Sequence, residues 1–464
     1  MREKLVIGIL CVGLLSIFVP RLFLPEDDDF PLELKNHFSP SQDIFTFWDK
    51  FERELIDATT KDIYPESKSP DQVYISNKEH HTAPRPDRLI IKPEDIEYLR
   101  SKHDQITAAI EKLAPLLPYK EQSYGMVTTC GPKDFSYLSV SLRLLRRTGF
   151  SLPIEVFLDS EDRNTKKLCE NLFPSLNVRC INLSDLLKMN EQIRKIQLKG
   201  YQFKALSMIF SSFENILFLD ADNVAIVNPE DIFTSPLFVE KGFITFADFW
   251  SETISPYYYQ IISREIPPTV THMSCESGEM FVSKKMHAKT LLLATYYNYY
   301  GPTFYYRLSS QNAPGEGDKE TFVMAVHYYQ LPNYELHTPV EALGHKESDG
   351  EWRGVAMAQP HPIDDWLKFT KNDPNVPFIR PMLIHANYPK LDPTTVLNEG
   401  GPVLRKDGSV GRMWTDRRTL DFIDYDLENR VWEEMIFVAC NYFKPHCEPL
   451  KKNYKIIFSS EELL

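Results

Sequence analysis

Two carboxylates one residue apart, Asp220 and Asp222, follow the apolar run Ile216-Leu217-Phe218-Leu219. Hard carboxylate oxygens at that spacing, on a turn, can share one divalent cation, and a cation so held can also take the phosphates of a substrate. The triplet alone is a weak signal, because such pairs are often solvated or cap a loop. Its context narrows the reading. The apolar run reads as a strand buried on both faces, and open α/β sheets bind ligands beyond the carboxyl ends of their strands. The chemistry expected there is metal-dependent transfer from a nucleotide sugar.

Other groups could join that chemistry. Glu276 precedes a small pair and a strand in Glu276-Ser277-Gly278-Glu279-Met280-Phe281-Val282, and Asp318 follows two glycines in Gly315-Glu316-Gly317-Asp318. Asp318 reads equally as the cap of the helix after it. Met382-Leu383-Ile384 is a strand that places the imidazole of His385 at its end. The first strand of the globular part, Tyr124 to Cys130, carries Thr128 and runs into Gly131. Such a small-residue turn lets a nucleotide approach the backbone closely, and an ordinary tight turn accounts for it as well. Lys204 reads either as a solvated helix lysine, the preferred reading, or as a second cation for the donor phosphates. The aromatic run Tyr296 to Tyr306 fits a packed core better than a sugar-stacking wall.

The elements that must hold these groups alternate. A helix is expected over Phe203 to Phe213, with Leu206, Ile209, Phe210 and Phe213 on one stripe just before the central strand. Strands at Ile154 to Asp159, Val178 to Leu183 and Phe243 to Ala247, with helices at 135–145 and 162–172, make the chain α/β, with a mostly parallel, Rossmann-like sheet and flanking helices. From Pro25 to about Pro118 the sequence is acidic, charged and repeatedly broken by proline. It reads as a stem, with helical pieces at Ile44 to Thr59 and Pro93 to Leu113.

A net charge of −13 leaves no excess of Lys and Arg to neutralise a nucleic acid backbone, which excludes nucleic acid as a partner. Leu5 to Leu24 is apolar except for Arg21, close to the roughly 20 residues that cross a bilayer, and Phe18-Val19-Pro20-Arg21 is a poor cleavage site. An uncleaved signal anchor is therefore expected, with residues 1–4 cytoplasmic and the rest lumenal. Of seven cysteines, Cys11 lies in that segment, and the short spacings favour Cys169 with Cys180 and Cys440 with Cys447. Asn182-Leu183-Ser184 is an N-glycosylation sequon; equally, Ser184 could cap a helix starting near Asp185.

Taken together, the blocks Phe218-Leu219-Asp220-Ala221-Asp222-Asn223 with Asn228-Pro229, Ala247-Asp248-Phe249-Trp250, Glu276-Ser277-Gly278-Glu279, Gly315 to Phe322 and His385-Ala386-Asn387 resemble the fungal Golgi α-mannosyltransferases. The likeness is strongest to the branch that adds α-1,2-linked mannose to the α-1,6 outer chain of N-linked mannan. It implies a GT-A type glycosyltransferase fold over residues 119–464, behind a signal anchor (5–24) and a lumenal stem (25–118). It also implies a single-pass type II protein of the Golgi membrane that uses GDP-mannose and Mn²⁺. On that likeness Asp220, Asp222 and His385 hold the metal, and Asp220 and Asp222 also meet the donor diphosphate; from their own positions in the sequence, Thr128, Gly131 and Lys204 are the further candidates to meet the donor. Glu276 sits near the donor sugar and Asp318 orients the acceptor hydroxyl. Transfer would retain configuration, through attack from the leaving-group face or through a covalent carboxylate intermediate. An α-1,3 linkage is the near alternative. A non-catalytic glycan-binding subunit of a Golgi mannosyltransferase complex and a nucleotide-sugar hydrolase are the readings from other classes.

Overall fold

In the computed structural model, which describes residues 42–415 and 422–459, seven strands form the central sheet. They are β1 (Lys120–Cys130), β2 (Ile154–Leu158), β3 (Val178–Asn182), β4 (Phe213–Leu219), β6 (Phe243–Ser251), β7 (Met273–Ser283) and β8 (Tyr334–Glu335). Their order across the sheet is β8-β6-β7-β4-β1-β2-β3. Every neighbouring pair is parallel except those made by β7, which runs against both β4 and β6. The fold is thus α/β, with a mostly parallel central sheet and flanking helices, as the sequence led us to expect.

Strand β4 is buried along its whole length. Ile216 and Phe218 enter one apolar cluster and Leu217 and Leu219 the other, on opposite faces of the sheet. This alternation is why the run has no polar residue: a strand covered on both faces has no solvent side. The helix before it is shorter than its apolar stripe suggested. It spans Gln202–Phe210, and Phe213 already begins β4.

A second sheet, order β9-β10-β11-β5, contains β5 (Asn223–Ala225), β9 (Glu341–Lys346), β10 (Trp352–Pro360) and β11 (Pro381–His385), all antiparallel. Because β5 starts four residues after β4 ends, the turn carrying Asp220 and Asp222 is the junction of the two sheets.

Residues 42–117, expected as part of a stem, belong to the packed unit. Helix α1 (Gln42–Asp57) buries Trp48, Phe51 and Leu55, and helix α2 (Pro93–Leu113) buries Leu99, Ile106 and Ile110, in the same cluster that covers β4. The aromatic run completes this layer. Tyr296, Tyr297 and Tyr305 are fully buried, so the core reading of that run holds. Between α1 and α2 a strap over residues 66–91 is fixed by Arg85. Its guanidinium makes a bidentate pair with buried Glu252 at 2.7 and 3.0 Å and donates to the carbonyls of Ile254, Pro267 and Thr269.

Cys169 is bonded to Cys180 and Cys440 to Cys447, as the short spacings suggested, while Cys130 and Cys275 are buried thiols. The anchor segment 5–24 and the tail 1–4 lie outside the described residues, among which no helix is long and apolar enough to cross a membrane.

Candidate active site

A cleft of about 610 Å³ opens at the carboxyl end of β4 and is lined by Asp220, Asp222, Glu276, Asp318 and His385 among others. The turn itself is locked. Asp220 N donates to Gly278 O at 2.7 Å, Asn223 N donates to Asp220 O at 3.0 Å, and Asn223 Nδ2 donates to Gly278 O at 2.8 Å. His385 arrives from the other sheet, paired in register with Asn223, and Ala386 N donates to Asp222 O at 3.1 Å. Backbone pairing of β5 with β11 therefore places the imidazole, whose Nε2 lies 3.3 Å from Asp222 Oδ1.

Asp220, Asp222 and His385 each offer one ligand atom, all within 4.8 Å of one another. The donor set suits a divalent cation: two hard oxygens and one nitrogen favour a metal of the Mn²⁺ type over Mg²⁺. His385 Nδ1 is buried with no hydrogen-bond partner among the described residues, and Gly278 lets the ring come this close. A Cβ on Gly278 would stand 2.7 Å from His385 Cε1.

Electrostatics favour the charged forms of Asp222 and His385. Burial works against the charge on Asp222, but His385 and Lys390 outweigh it and hold this carboxyl well below the usual range. Lys390, half-exposed, is in contact with Asp222 Oδ2. Burial likewise opposes charge on His385, yet the carboxylates of Asp222, Glu276 and Glu279 push its pKa up to about 10. A cation binding here would release that proton.

Lys204 is not a solvated helix lysine. Its ammonium is buried and lies 3.1 Å from Asp220 Oδ2, 3.2 Å from Asp318 Oδ2, 2.8 Å from Ser277 O and 3.0 Å from Ser277 Oγ. Burial disfavours the charge, but the carboxylates of Asp220, Asp318 and Glu276 prevail and hold the lysine protonated. Asp318 accordingly does not cap the helix that starts at Lys319: its side chain makes no capping bond and points to Lys204. Burial raises the pKa of Asp318, with Lys204 working against it. It also raises that of Glu276, which accepts from Gly278 N at 2.9 Å. Glu279, fully buried behind the cleft, is pushed by burial up to about 8, so the protonated form is favoured at neutral pH.

On the β1 side the reading needs one correction. Thr128 is fully buried and does not line the cleft, whereas Thr129, Cys130 and Gly131, at the end of the strand, do. Gly131 N donates to Asp134 Oδ2 at 2.9 Å, and a Cβ on Gly131 would meet the Asp159 carboxylate at 3.0 Å. At the sequon, it is Asn182 and not Ser184 that caps the following helix, its Oδ1 accepting from Ser184 N at 3.0 Å.

The sequence reading missed Lys390, and Asp248 with its partner Lys319 at 2.8 Å, all of which line the cleft. Asp248 and Lys319 stand inside the quoted blocks, but a charge pair formed between distant segments has no signature in spacing. Lys390 follows His385 by five residues, a proximity that could have raised the suspicion.

A mannosyltransferase family model, Mannosyl_trans3, matches residues 123–273 and 264–361, which include every cleft carboxylate named above. Alpha-1,2-mannosyltransferase MNN2 of Saccharomyces cerevisiae is 32% identical over 430 residues, covering 77% of this chain and 71% of the relative. The chain belongs to this mannosyltransferase family. It is a glycosyltransferase. Alpha-1,2-mannosyltransferase MNN23 of Candida albicans is 30% identical over 443 residues, with 76% of this chain and 72% of the relative covered. Among solved structures, galactosyltransferase LgtC in complex with donor and acceptor sugar analogues has a TM-score of 0.31 at 13% identity, covering 46% of this chain and 73% of that one. Mouse xyloside xylosyltransferase 1 has a TM-score of 0.31 at 15% identity, over 46% and 85%. Likenesses at that level carry nothing about substrate or mechanism.

Proposed function

We propose that this mannosyltransferase uses GDP-mannose and a Mn²⁺-type cation to add α-1,2-linked mannose to α-1,6-linked mannan of N-glycans, with retention of configuration. The observation that carries the proposal is the convergence of Asp220, Asp222 and His385 within 4.8 Å in the cleft. The linkage is taken from the names of the relatives, and mannan as acceptor from the resemblance of the sequence blocks. Breaking the bond from mannose C1 to the diphosphate builds negative charge on the leaving group. A divalent cation bound at the triad would supply Lewis-acid stabilisation of that charge. Lys204 and Lys390 add fixed positive charge to the same end of the cleft, where the diphosphate is held. Lys204 also keeps Asp220 and Asp318 in place through its two ion pairs. Glu276 lies beside the donor sugar. Asp318, the other carboxylate paired with Lys204, orients the acceptor hydroxyl. The chain is a type II protein of the Golgi membrane, anchored by residues 5–24 and glycosylated at Asn182, whose Oδ1 is engaged in the cap while Nδ2 is the atom to be modified.

The test is an assay of the purified protein with GDP-mannose, Mn²⁺ and an α-1,6-mannose oligomer, with the new linkage assigned by NMR. An α-1,2 bond is expected. An α-1,3 bond would revise the linkage, and glycan binding without transfer would replace the proposal with a non-catalytic subunit. Asp220→Ala and Asp222→Ala should each remove transfer by on the order of 100-fold or more. The double variant should be little worse, because groups that share one task are not additive.

A further inference from the structure

The strap over residues 66–91 lies before the family-matched region, which starts at residue 123, and yet it reaches the cleft. Ser76 forms an antiparallel bridge with Trp250. Ser251 N donates to Ile75 O at 2.7 Å, Ser251 Oγ donates to Ser76 O at 2.8 Å, and Asn77 Nδ2 donates to Asp248 O at 3.3 Å. The strap thus adds a short extra strand to Asp248–Ser251, the segment that walls one side of the cleft.

On this added strand Tyr74 packs edge-on against Trp250, with ring centroids 5.5 Å apart at 63°. Trp250 lines the cleft, while Tyr74 is 58% exposed and its hydroxyl bonds to Gln72 of its own strap. Two adjacent rings, one on the cleft wall and one in solvent, make a continuous aromatic surface leading out of the site. Exposed aromatic area joined to a cleft marks a ligand surface.

The charge pattern says which ligand. Lys204, Lys390 and the metal triad concentrate charge at one end, suited to a diphosphate. Beside Trp250 the Asp248 carboxylate is paired with Lys319 at 2.8 Å, so no unpaired cation stands beside the ring to attract a phosphate. A hexose ring is neutral, with an apolar face of C–H groups and a rim of hydroxyls. It stacks on an aromatic ring while its rim reaches polar neighbours. Resting on the transferase reading above, we propose that Trp250 and Tyr74 form an acceptor platform that stacks successive hexose units of a neutral oligosaccharide. The strap would then set the preference for acceptor length.

The test titrates the purified full-length protein, without donor, with α-1,6-mannotetraose and separately with methyl α-mannoside, and uses GDP as a control ligand. Tyr74→Ala and Trp250→Ala are expected to weaken tetramer binding by about tenfold, the scale of one lost aromatic contact. Tyr74→Phe should keep the tetramer affinity, the monosaccharide should respond less than the tetramer to Tyr74→Ala, and GDP should bind all variants within about twofold of the parent. Unchanged tetramer affinity in both alanine variants would overturn the platform. So would an equal loss for monosaccharide and tetramer, a parallel loss of GDP, or a parent protein that binds no mannose oligomer. Tetramer binding that needs both rings, in a protein that transfers no mannose, would uphold the platform and reject the transfer reading instead.

Discussion

Gly278 shows how tightly single residues constrain the cation site. The carbonyl of Gly278 accepts from the backbone of Asp220 and from the side chain of Asn223, and its missing side chain leaves room for His385. Gly278→Ala would put a carbon within 2.7 Å of the imidazole and 3.1 Å of Asn223 Nδ2, so the ring must move. The expected outcome is a loss of Mn²⁺ affinity of about 10–100-fold, the usual effect of disturbing the groups that orient a metal ligand. Titration by calorimetry or by EPR of free Mn²⁺ measures it; an alanine variant with parental affinity would refute this use of the glycine. At this scale the sequence was partly legible. Asp220, Asp222 and His385 stood out because each ends an apolar strand run. Lys204 did not, because nothing in a helix sequence tells a lysine facing solvent from one facing two carboxylates. Thr128 was mistaken for Thr129 because the phase of a strand that is buried on both faces cannot be read from its polarity.

Between elements, two buried polar contacts are among those that hold the N-terminal segment in the fold. Arg85 ties the strap to Glu252, and both side chains are almost wholly buried. Arg85→Met would leave the Glu252 carboxylate buried without its partner, at a cost of about 3–5 kcal/mol. The expected readout is a lower melting temperature together with faster proteolysis within 66–91. Adding Glu252→Gln should recover part of the loss, and no recovery would mean that the lost carbonyl contacts dominate. The second contact is pH-sensitive. His103 of α2 is buried, its Nε2 lies 2.8 Å from Tyr297 Oη, and burial lowers its pKa from 6.5 to about 3. A histidine held neutral in the fold adds stability that is complete above pH 6.5 and is lost as pH falls from there towards 3, by at most about 1.4 kcal/mol per pH unit. Replacing it with glutamine, which cannot titrate, should flatten the fall of melting temperature between pH 6 and 4; an unchanged slope would place that acid sensitivity elsewhere. Both helices of this segment were legible as helices, but their docking was not. The apolar stripe of α1 (Ile44, Phe47, Trp48, Phe51, Leu55) is averaged away by the charges on its other face, so composition alone made a packed segment look like a stem.

For the whole molecule, the consequence is that the catalytic unit does not start where the proline-rich region ends. Trp48 packs edge-on against Phe210 at 5.1 Å, and the hydroxyls of Tyr296 and Tyr300 donate to the carbonyls of Ala58 and Leu55 at 3.0 and 2.7 Å. A chain starting at Tyr119 would expose the apolar layer that these residues cover, and buried hydroxyls would lose their acceptors. It should be recovered mainly as aggregate, whereas a chain starting at Phe38 should stay soluble and melt in one cooperative transition. Comparable calorimetric melts from both would show the segment to be dispensable. The other flank of the sheet poses a different problem. Among the described residues strand β3 is the last of the sheet, and a border strand is the usual starting point of edge-to-edge aggregation. Cys180 lies in that strand and is joined to Cys169 of the helix before it, Arg163–Asn171. The cross-link prevents the border strand from peeling away to pair with another copy, so it protects colloidal behaviour at high protein concentration as well as holding one loop closed.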